Sequence, residues 1–191
     1  MNNIFNRVSK WNSQRYDRTF NLDLTCRLLK EEYTEYLESD QEVHQLDGLC
    51  DTIYVALGGL WKLDLRDEVM NADAQEATEM VKALIGANVV MPAFFIPTFI
   101  DAVYTDADFP ESLAMHCIIN LALIQMQAMG LTLEQCYEAL NVVCDSNDSK
   151  SIPQDKVDPT VKANQDKGAY FTPPEPRLET ILNARHTGGA S

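Results

Sequence analysis

Between Leu28 and Ser39 the chain places Glu31, Glu32, Glu35 and Glu38 three and four residues apart, and Asp47 and Asp51 follow one helical turn apart. On an α-helix this spacing sets Glu31, Glu35 and Glu38 along one face with Glu32 beside them. If the chain reverses near Asp40 and Gln41, a rise of ~1.5 Å per residue brings Glu32 and Glu35 level with the Asp47–Asp51 segment. Four to five carboxylates then converge. Like charges at helical spacing cost roughly 0.2–0.5 kcal/mol per pair, a cost that a bound cation removes. An all-oxygen donor set selects a hard ion, with Mg²⁺ first and Mn²⁺ as a substitute, because such sites combine a few carboxylates with waters and substrate phosphates. The competing reading is a solvated acidic face on an acidic protein. The second acidic pair on the next helix shifts the balance toward metal.

The elements that must position these residues are legible from period and capping. Ser39 followed by Glu42 reads as a capping box, so a second helix is expected directly after the first in a tight αα-hairpin. Leu22, Cys26, Leu29, Tyr33, Tyr36 and Leu37 form the apolar stripe of the first helix, and Leu46, Leu49, Ile53, Leu57 and Leu60 that of the second. Two such stripes need more apolar surface than one hairpin offers. Asp73 and Glu76 suggest a further helix start, ahead of Ala77, Met80, Val81, Leu84 and Ile85. The run VVMPAFFIPTFIDAVY is interrupted by Pro92 and Pro97 and lacks the ~20 uninterrupted apolar residues of a membrane span. It reads as a buried connector and short helix.

Residues 111–129 read as a helix apolar nearly all round, hence buried on most sides. His116 and Asn120, one turn apart on it, are more simply a satisfied core pair than ligands. Gly130 is a natural helix stop. Thr132 and Gln135 form another capping box, with Leu133, Cys136, Leu140 and Val143 as the buried stripe. The region 149–176, rich in Pro, Lys and Asp, should be an extended loop, followed by a short helix over 176–184 and a frayed tail. Gly58-Gly59 lies inside an apolar helix and suits close helix packing better than a phosphate loop. The expected fold is an all-α bundle, one domain over 1–191 with a helical insertion at about 66–129.

Acidic residues number 29 against 15 basic, a net charge of −14. That balance argues against a nucleic-acid polymer as partner. It suits a small anionic substrate only where metal ions and a few local cations reverse the field. The polar start, from Met1 to Lys10, shows no signal peptide. Cys26, Cys50, Cys117, Cys136 and Cys144 sit mostly in apolar helical pattern, as reduced core residues of a cytoplasmic protein would. Arg7, Lys10, Arg15 and Arg18 are interleaved with Trp11, Tyr16 and Phe20, so aromatic faces beside cations could hold a base and its phosphates. The plainer alternative is a short helix that packs Trp11 on the bundle and leaves its charges in solvent. The apolar surplus in VVMPAFFIPTFI and in 111–129 points to a homo-oligomer, a dimer or tetramer.

The motif E-E-x-x-E at Glu31, Glu32 and Glu35, followed on the next helix by acidic residues and the run I-Y-V-A-L-G, resembles the all-α nucleoside triphosphate pyrophosphohydrolases, the MazG-like superfamily. Dimeric dUTPases and phosphoribosyl-ATP pyrophosphohydrolases belong to the same superfamily. Its members usually carry E-x-x-D on the second helix, whereas here Gly48 stands three before Asp51 and the acidic partner is Asp47. The G-x-T-L-E-Q helix running into S-N-x-S-K, the K-G-x-Y-x-x-P-P motif at Lys167 to Pro174 and the W-N-x-x-R stretch at Trp11, Asn12 and Arg15 resemble the phage and bacterial subgroup.

The resemblance implies Mg²⁺-dependent hydrolysis of a (deoxy)nucleoside triphosphate to monophosphate and pyrophosphate, in nucleotide-pool control. Glu32, Glu35, Asp47 and Asp51 would hold metal, and Glu31 would be the general base, its role interchangeable with that of Glu32. Asn147, Lys150, Lys167 and Tyr170, with Trp11, Asn12 and Arg15, would contact the nucleotide. The location implied is the cytoplasm, the host's if the chain is phage-encoded. A helical nucleotide- or protein-binding module without catalysis is the alternative from another class.

Overall fold

Leu46, Leu49, Ile53, Leu57 and Leu60 recur at helical spacing, and all five are buried along the longest helix of the chain. Burying each such side chain contributes about 1.5–3 kcal/mol, which fixes this helix as an inner element. The structure is a computed structural model that describes residues 1–86, 91–152 and 167–185. Among the described residues eight α-helices follow in order: α1 (Asn2–Arg15), α2 (Leu22–Glu38), α3 (Glu42–Leu63), α4 (Asp67–Ile85), α5 (Ile96–Thr105), α6 (Glu111–Ala128), α7 (Leu133–Asp148) and α8 (Glu175–Ala184). A 3-10 turn, Pro92–Phe95, leads into α5. No strand occurs among the described residues, and the architecture is an all-α bundle.

α2 and α3 form the expected hairpin, and α3 also packs on α1, α6, α7 and α8. α6 is the second inner helix, set against α3, α4, α5 and α7. Leu113, Met115, Ile118, Leu121, Ala122 and Met126 bury it on nearly every side, as its all-round apolar sequence requires. One hydrophobic core takes side chains from α1 through α8. The 66–129 segment is thus part of that core. All five cysteines are free and buried, as expected of apolar core thiols.

The apolar run read as a subunit interface is largely covered within the chain. Ala93, Ile96, Phe99, Ile100 and Val103 are buried, with α5 against α6 and α2. Phe94 and Tyr104 stay outside, 55% and 47% exposed. Val89 and Val90 lie outside the described residues. No single helix among the described residues is long and apolar enough to cross a membrane.

Several boundaries differ from expectation for local reasons. The Ser39–Glu42 capping box does not form. Gln41 is the N-cap of α3, Gln45 donates its side-chain amide to the Ser39 carbonyl at 2.8 Å, and Glu42 pairs with Arg185 at 2.6 Å. Asp73 and Glu76 are not a helix start either, since α4 begins at Asp67 and carries them in its interior. Asp73 instead accepts a hydrogen bond from the Ser112 hydroxyl of α6. Leu37 and Leu133, assigned to buried stripes, are each 46% exposed near helix ends. The Thr132–Gln135 capping box forms in both directions. Gly130 ends α6 at φ +93, a left-handed conformation that suits glycine. The described residues 149–152 and 167–174 form no helix; residues 153–166 and the tail 186–191 lie outside the description.

Candidate functional site

The α2–α3 hairpin closes most tightly where Gly48 meets Tyr36. A Cβ on Gly48 would lie 2.9 Å from the Tyr36 backbone nitrogen and 3.1 Å from its Cα. The position three before Asp51 therefore faces the α2 backbone and has no room for a side chain. An acidic side chain at this position would not fit the helix packing, and Asp47 and Asp51 are the acidic pair that α3 presents.

Asp47 is the electrostatic centre of the region. Burial, then the charges of Asp51, Glu175, Glu32 and Glu35, pushes its carboxyl up to about 8. Its Oδ1 is enclosed and accepts no hydrogen bond from any described residue. Glu32 and Glu35 of α2 and Asp47 and Asp51 of α3 are thereby brought into one electrostatic neighbourhood. Glu31 and Glu35 also line a shallow depression of about 540 Å³ with Arg27, Lys30, Thr34 and Tyr104.

Cations stand against this acidic group. Burial lowers the proton affinity of Lys150; Lys167 and Arg15 act in the same direction, while Asp51 and Glu32 oppose them. Lys150 thus sits within electrostatic reach of Asp51 and Glu32 on one side and of Lys167 and Arg15 on the other. Lys167 is exposed, with its ammonium 4.8 Å from the ring centroid of Phe171. Tyr170 is 90% exposed.

The N-terminal W-N-x-x-R stretch and the S-N-x-S-K turn bind each other. Trp11 Nε1 donates to the Asn147 carbonyl at 2.8 Å, and Arg15 Nη2 donates to the carbonyls of Lys150 and Ser151 at 3.0 Å each. Arg15 is 1% exposed and lies over the Trp11 ring at 4.3 Å. The Asn147 side chain accepts from Lys150 Nζ at 2.7 Å and donates to the Val143 carbonyl at 3.1 Å. Asn12 donates to the Val8 carbonyl at 2.9 Å and packs against Gly58. Trp11, Asn12 and Asn147, expected to touch nucleotide, thus use these polar groups in contacts inside the protein. The neighbouring arginines also have partners within the chain, although Arg18 stays exposed. Arg7 bonds Asp145 and Asp148 of α7 at 2.7 and 2.6 Å, and Arg18 donates to the Trp61 carbonyl at 2.7 Å. Tyr54, one turn past Asp51, meets Trp11 edge-on at 5.7 Å and carries the acidic line of α3 toward this clasp.

Among the described residues, no three His, Cys, Asp or Glu side chains are gathered closely enough to hold a metal ion. The donor chemistry suits a hard cation all the same, and the enclosed, unpartnered Asp47 oxygen is the feature that such an ion would satisfy. His116 is not the satisfied core residue its setting suggested. Its Nε2 is enclosed without a described partner, burial lowers its proton affinity against the opposing charge of Asp73, and Asn120 bonds Thr78 at 3.4 Å. His186 is outside the described residues.

No protein-family model, no curated protein and no solved structure matches this chain.

Two residues of the region escape a reading of spacing. Tyr54 looks like any aromatic on an apolar helix. Glu175 opens α8 directly after Pro173-Pro174, far along the chain from the other carboxylates, and only the packing of α8 on α3 brings its charge to Asp47.

Proposed function

We propose that this protein hydrolyses a nucleoside triphosphate, with dNTPs as the favoured class, to the monophosphate and pyrophosphate with Mg²⁺. The observation that carries this reading is the enclosed Asp47 Oδ1 among the charges of Asp51, Glu32 and Glu35, with Lys150 within electrostatic reach of Asp51 and Glu32. A triphosphate carries about four negative charges, which an acidic protein repels unless cations stand at the entry. Asp47, Asp51, Glu32 and Glu35 would hold Mg²⁺, or Mn²⁺ in its place. When bound, the ion would stabilise charge developing on the leaving pyrophosphate and make a bound water more acidic.

Lys150 and Lys167 would neutralise phosphate oxygens, with Arg15 holding the backbone of Lys150 in place. Glu31 or Glu32 would take one proton from the attacking water as its oxygen bonds the α-phosphorus. The α–β bridging bond breaks and its electrons leave with pyrophosphate. Tyr170, outside the packed body, is available to the nucleoside. In the sequence, Lys150 and Lys167 lie on either side of residues 153–166, which are outside the description. The reading extends to a cytoplasmic homo-oligomer that controls nucleotide pools.

Its support is the charge arrangement together with the motifs E-E-x-x-E, S-N-x-S-K and K-G-x-Y-x-x-P-P. The test is to incubate the protein with a panel of NTPs and dNTPs plus Mg²⁺ and to separate the products. Monophosphate and pyrophosphate are expected. Binding without turnover would favour a noncatalytic nucleotide-binding module, the reading that agrees with the absence of a gathered three-carboxylate set among the described residues.

A further inference from the structure

α4 buries two side chains, Ala77 and Val81, and α6 is the one helix with which it makes more than a marginal contact among the described residues. Polar groups hold part of that contact. Asp73 accepts a hydrogen bond from the Ser112 hydroxyl, and the Thr78 hydroxyl accepts from the Asn120 side chain at 3.4 Å. His116 stands on α6 one turn from Ser112 and one turn from Asn120. Its Nε2 is enclosed and has no hydrogen-bond partner among the described residues, although the polar side chains before and after it are both bonded across the seam.

A neutral imidazole fits this place better than a charged one. It can keep its proton on Nδ1 and turn only a lone pair inward, whereas the imidazolium carries N–H on both nitrogens and needs an acceptor at each. An enclosed donor without an acceptor loses its hydration and gains nothing in return. The charged group that faces His116 is Asp73 of α4, which is already engaged by Ser112. α3, α5 and α7, which also pack on α6, set no charge against His116 among the described residues, and Glu76 of α4 acts on the neighbouring Cys117. Burial outweighs the Asp73 charge and lowers the proton affinity of His116.

We propose that the α4–α6 seam is an acid-released latch: protonation of His116 sets a charge and an unmatched N–H between the Ser112 and Asn120 contacts, and α4 loosens from α6. The proposal is independent of the nucleotide reading. A histidine whose folded-state value lies below its ordinary 6.5 contributes stability that is fully present above 6.5 and is lost as pH falls below it. With two buried side chains, α4 is the element that such a loss can open locally.

The test is amide hydrogen exchange of the full chain at pH 7.5 and pH 5.5, with rates corrected for their intrinsic pH dependence. Amides of α4 in wild type are expected to lose protection by up to about tenfold at the lower pH, the extent to which a free imidazole is protonated one unit below its ordinary value. Amides of α7 should keep theirs. His116→Gln, which does not titrate, should show no acid loss in α4, and Asp73→Asn, which removes the facing charge, should retain it. Where His116→Gln fails to fold, the ring protons of His116 are followed by NMR in wild type, with a midpoint below 6.5 expected. Equal loss in wild type and His116→Gln, or the same loss in α7, overturns the proposal. So does α4 protection that holds constant in acid, or that rises because Asp73 leaves Ser112 to pair with the imidazolium, and so does a His116 midpoint at or above 6.5.

Discussion

Gly48 and the backbone of Tyr36 are in direct van der Waals contact, so close that a Cβ at position 48 would stand 2.9 Å from the Tyr36 nitrogen. This contact holds α2 against α3 at the level of Asp47. Gly48→Ala should lower stability to urea by roughly 1–3 kcal/mol, the usual cost of overpacking, less the few tenths to one that alanine gains in a helix. Gly48→Glu, which writes E-x-x-D into α3, should disrupt the hairpin and restore no ligand. A Gly48→Glu protein as stable as wild type would contradict the packing account.

Asp47 makes apo stability depend on pH in a direction opposite to that of most carboxylates. Its folded-state pKa, pushed up to about 8, lies above the ordinary aspartate value of 3.8, so between those values the folded state binds the extra proton. The contribution is fully present below about pH 4 and is lost as pH rises through about 8. In EDTA, the urea midpoint of wild type relative to Asp47→Asn should therefore fall from pH 5 to pH 9. The difference between the two proteins isolates Asp47 from groups shifted the other way, such as Asp145, which is lowered. A difference that stays flat with pH would contradict the raised pKa.

Arg15 joins α1 to the turn that carries Lys150 and Ser151 through two carbonyl contacts at 3.0 Å. Hydrogen bonds to a charged group contribute about 1.5–3 kcal/mol, and this guanidinium is buried. Arg15→Gln should cost roughly that amount and speed amide exchange at residues 149–152. Unchanged exchange there would show that the turn is held by other contacts.

How much of this was legible in the sequence differs from element to element. Helical period identified α2, α3 and α7, because Leu46 to Leu60 or Cys136 to Val143 repeat at 3.6 residues whatever lies around them, whereas α6 was marked by its all-round apolar sequence. Capping was less dependable. Thr132 and Gln135 form their box, but Ser39 and Glu42 do not, since Gln45 and Arg185 offer those groups other partners. Asp73 and Glu76 have the spacing of a capping box but lie inside α4, where Asp73 accepts a tertiary bond from Ser112. The acidic neighbourhood of Glu32, Glu35, Asp47 and Asp51 followed from spacing plus one reversal. Glu175 did not, since its place depends on how α8 packs, and neither did the mutual burial of Trp11, Arg15 and Asn147. Spacing also did not reveal the depression that Glu31 and Glu35 line with Arg27, Lys30 and Tyr104.

The thiols give a check on the core. Burial pushes Cys136 up to about 11 and Cys117 and Cys144 up to about 12, and all five cysteines are buried. Thiolates are the reactive species, so labelling by a disulfide reagent at pH 8 should be negligible in native protein and reach all five in denaturant. Rapid native labelling of any of them would show that its helix packs less tightly than described.

The central claim is that the carboxylates around Asp47 serve attack at the α-phosphorus of a nucleoside triphosphate, and the most direct measurement is the position of the oxygen that water delivers. The protein is incubated with a dNTP and Mg²⁺ in water enriched with oxygen-18, and the products are read by phosphorus NMR and mass spectrometry. The account expects label in the nucleoside monophosphate, unlabelled pyrophosphate, and loss of turnover in Glu35→Gln. Orthophosphate as the first product, with nucleoside diphosphate accumulating, would contradict it.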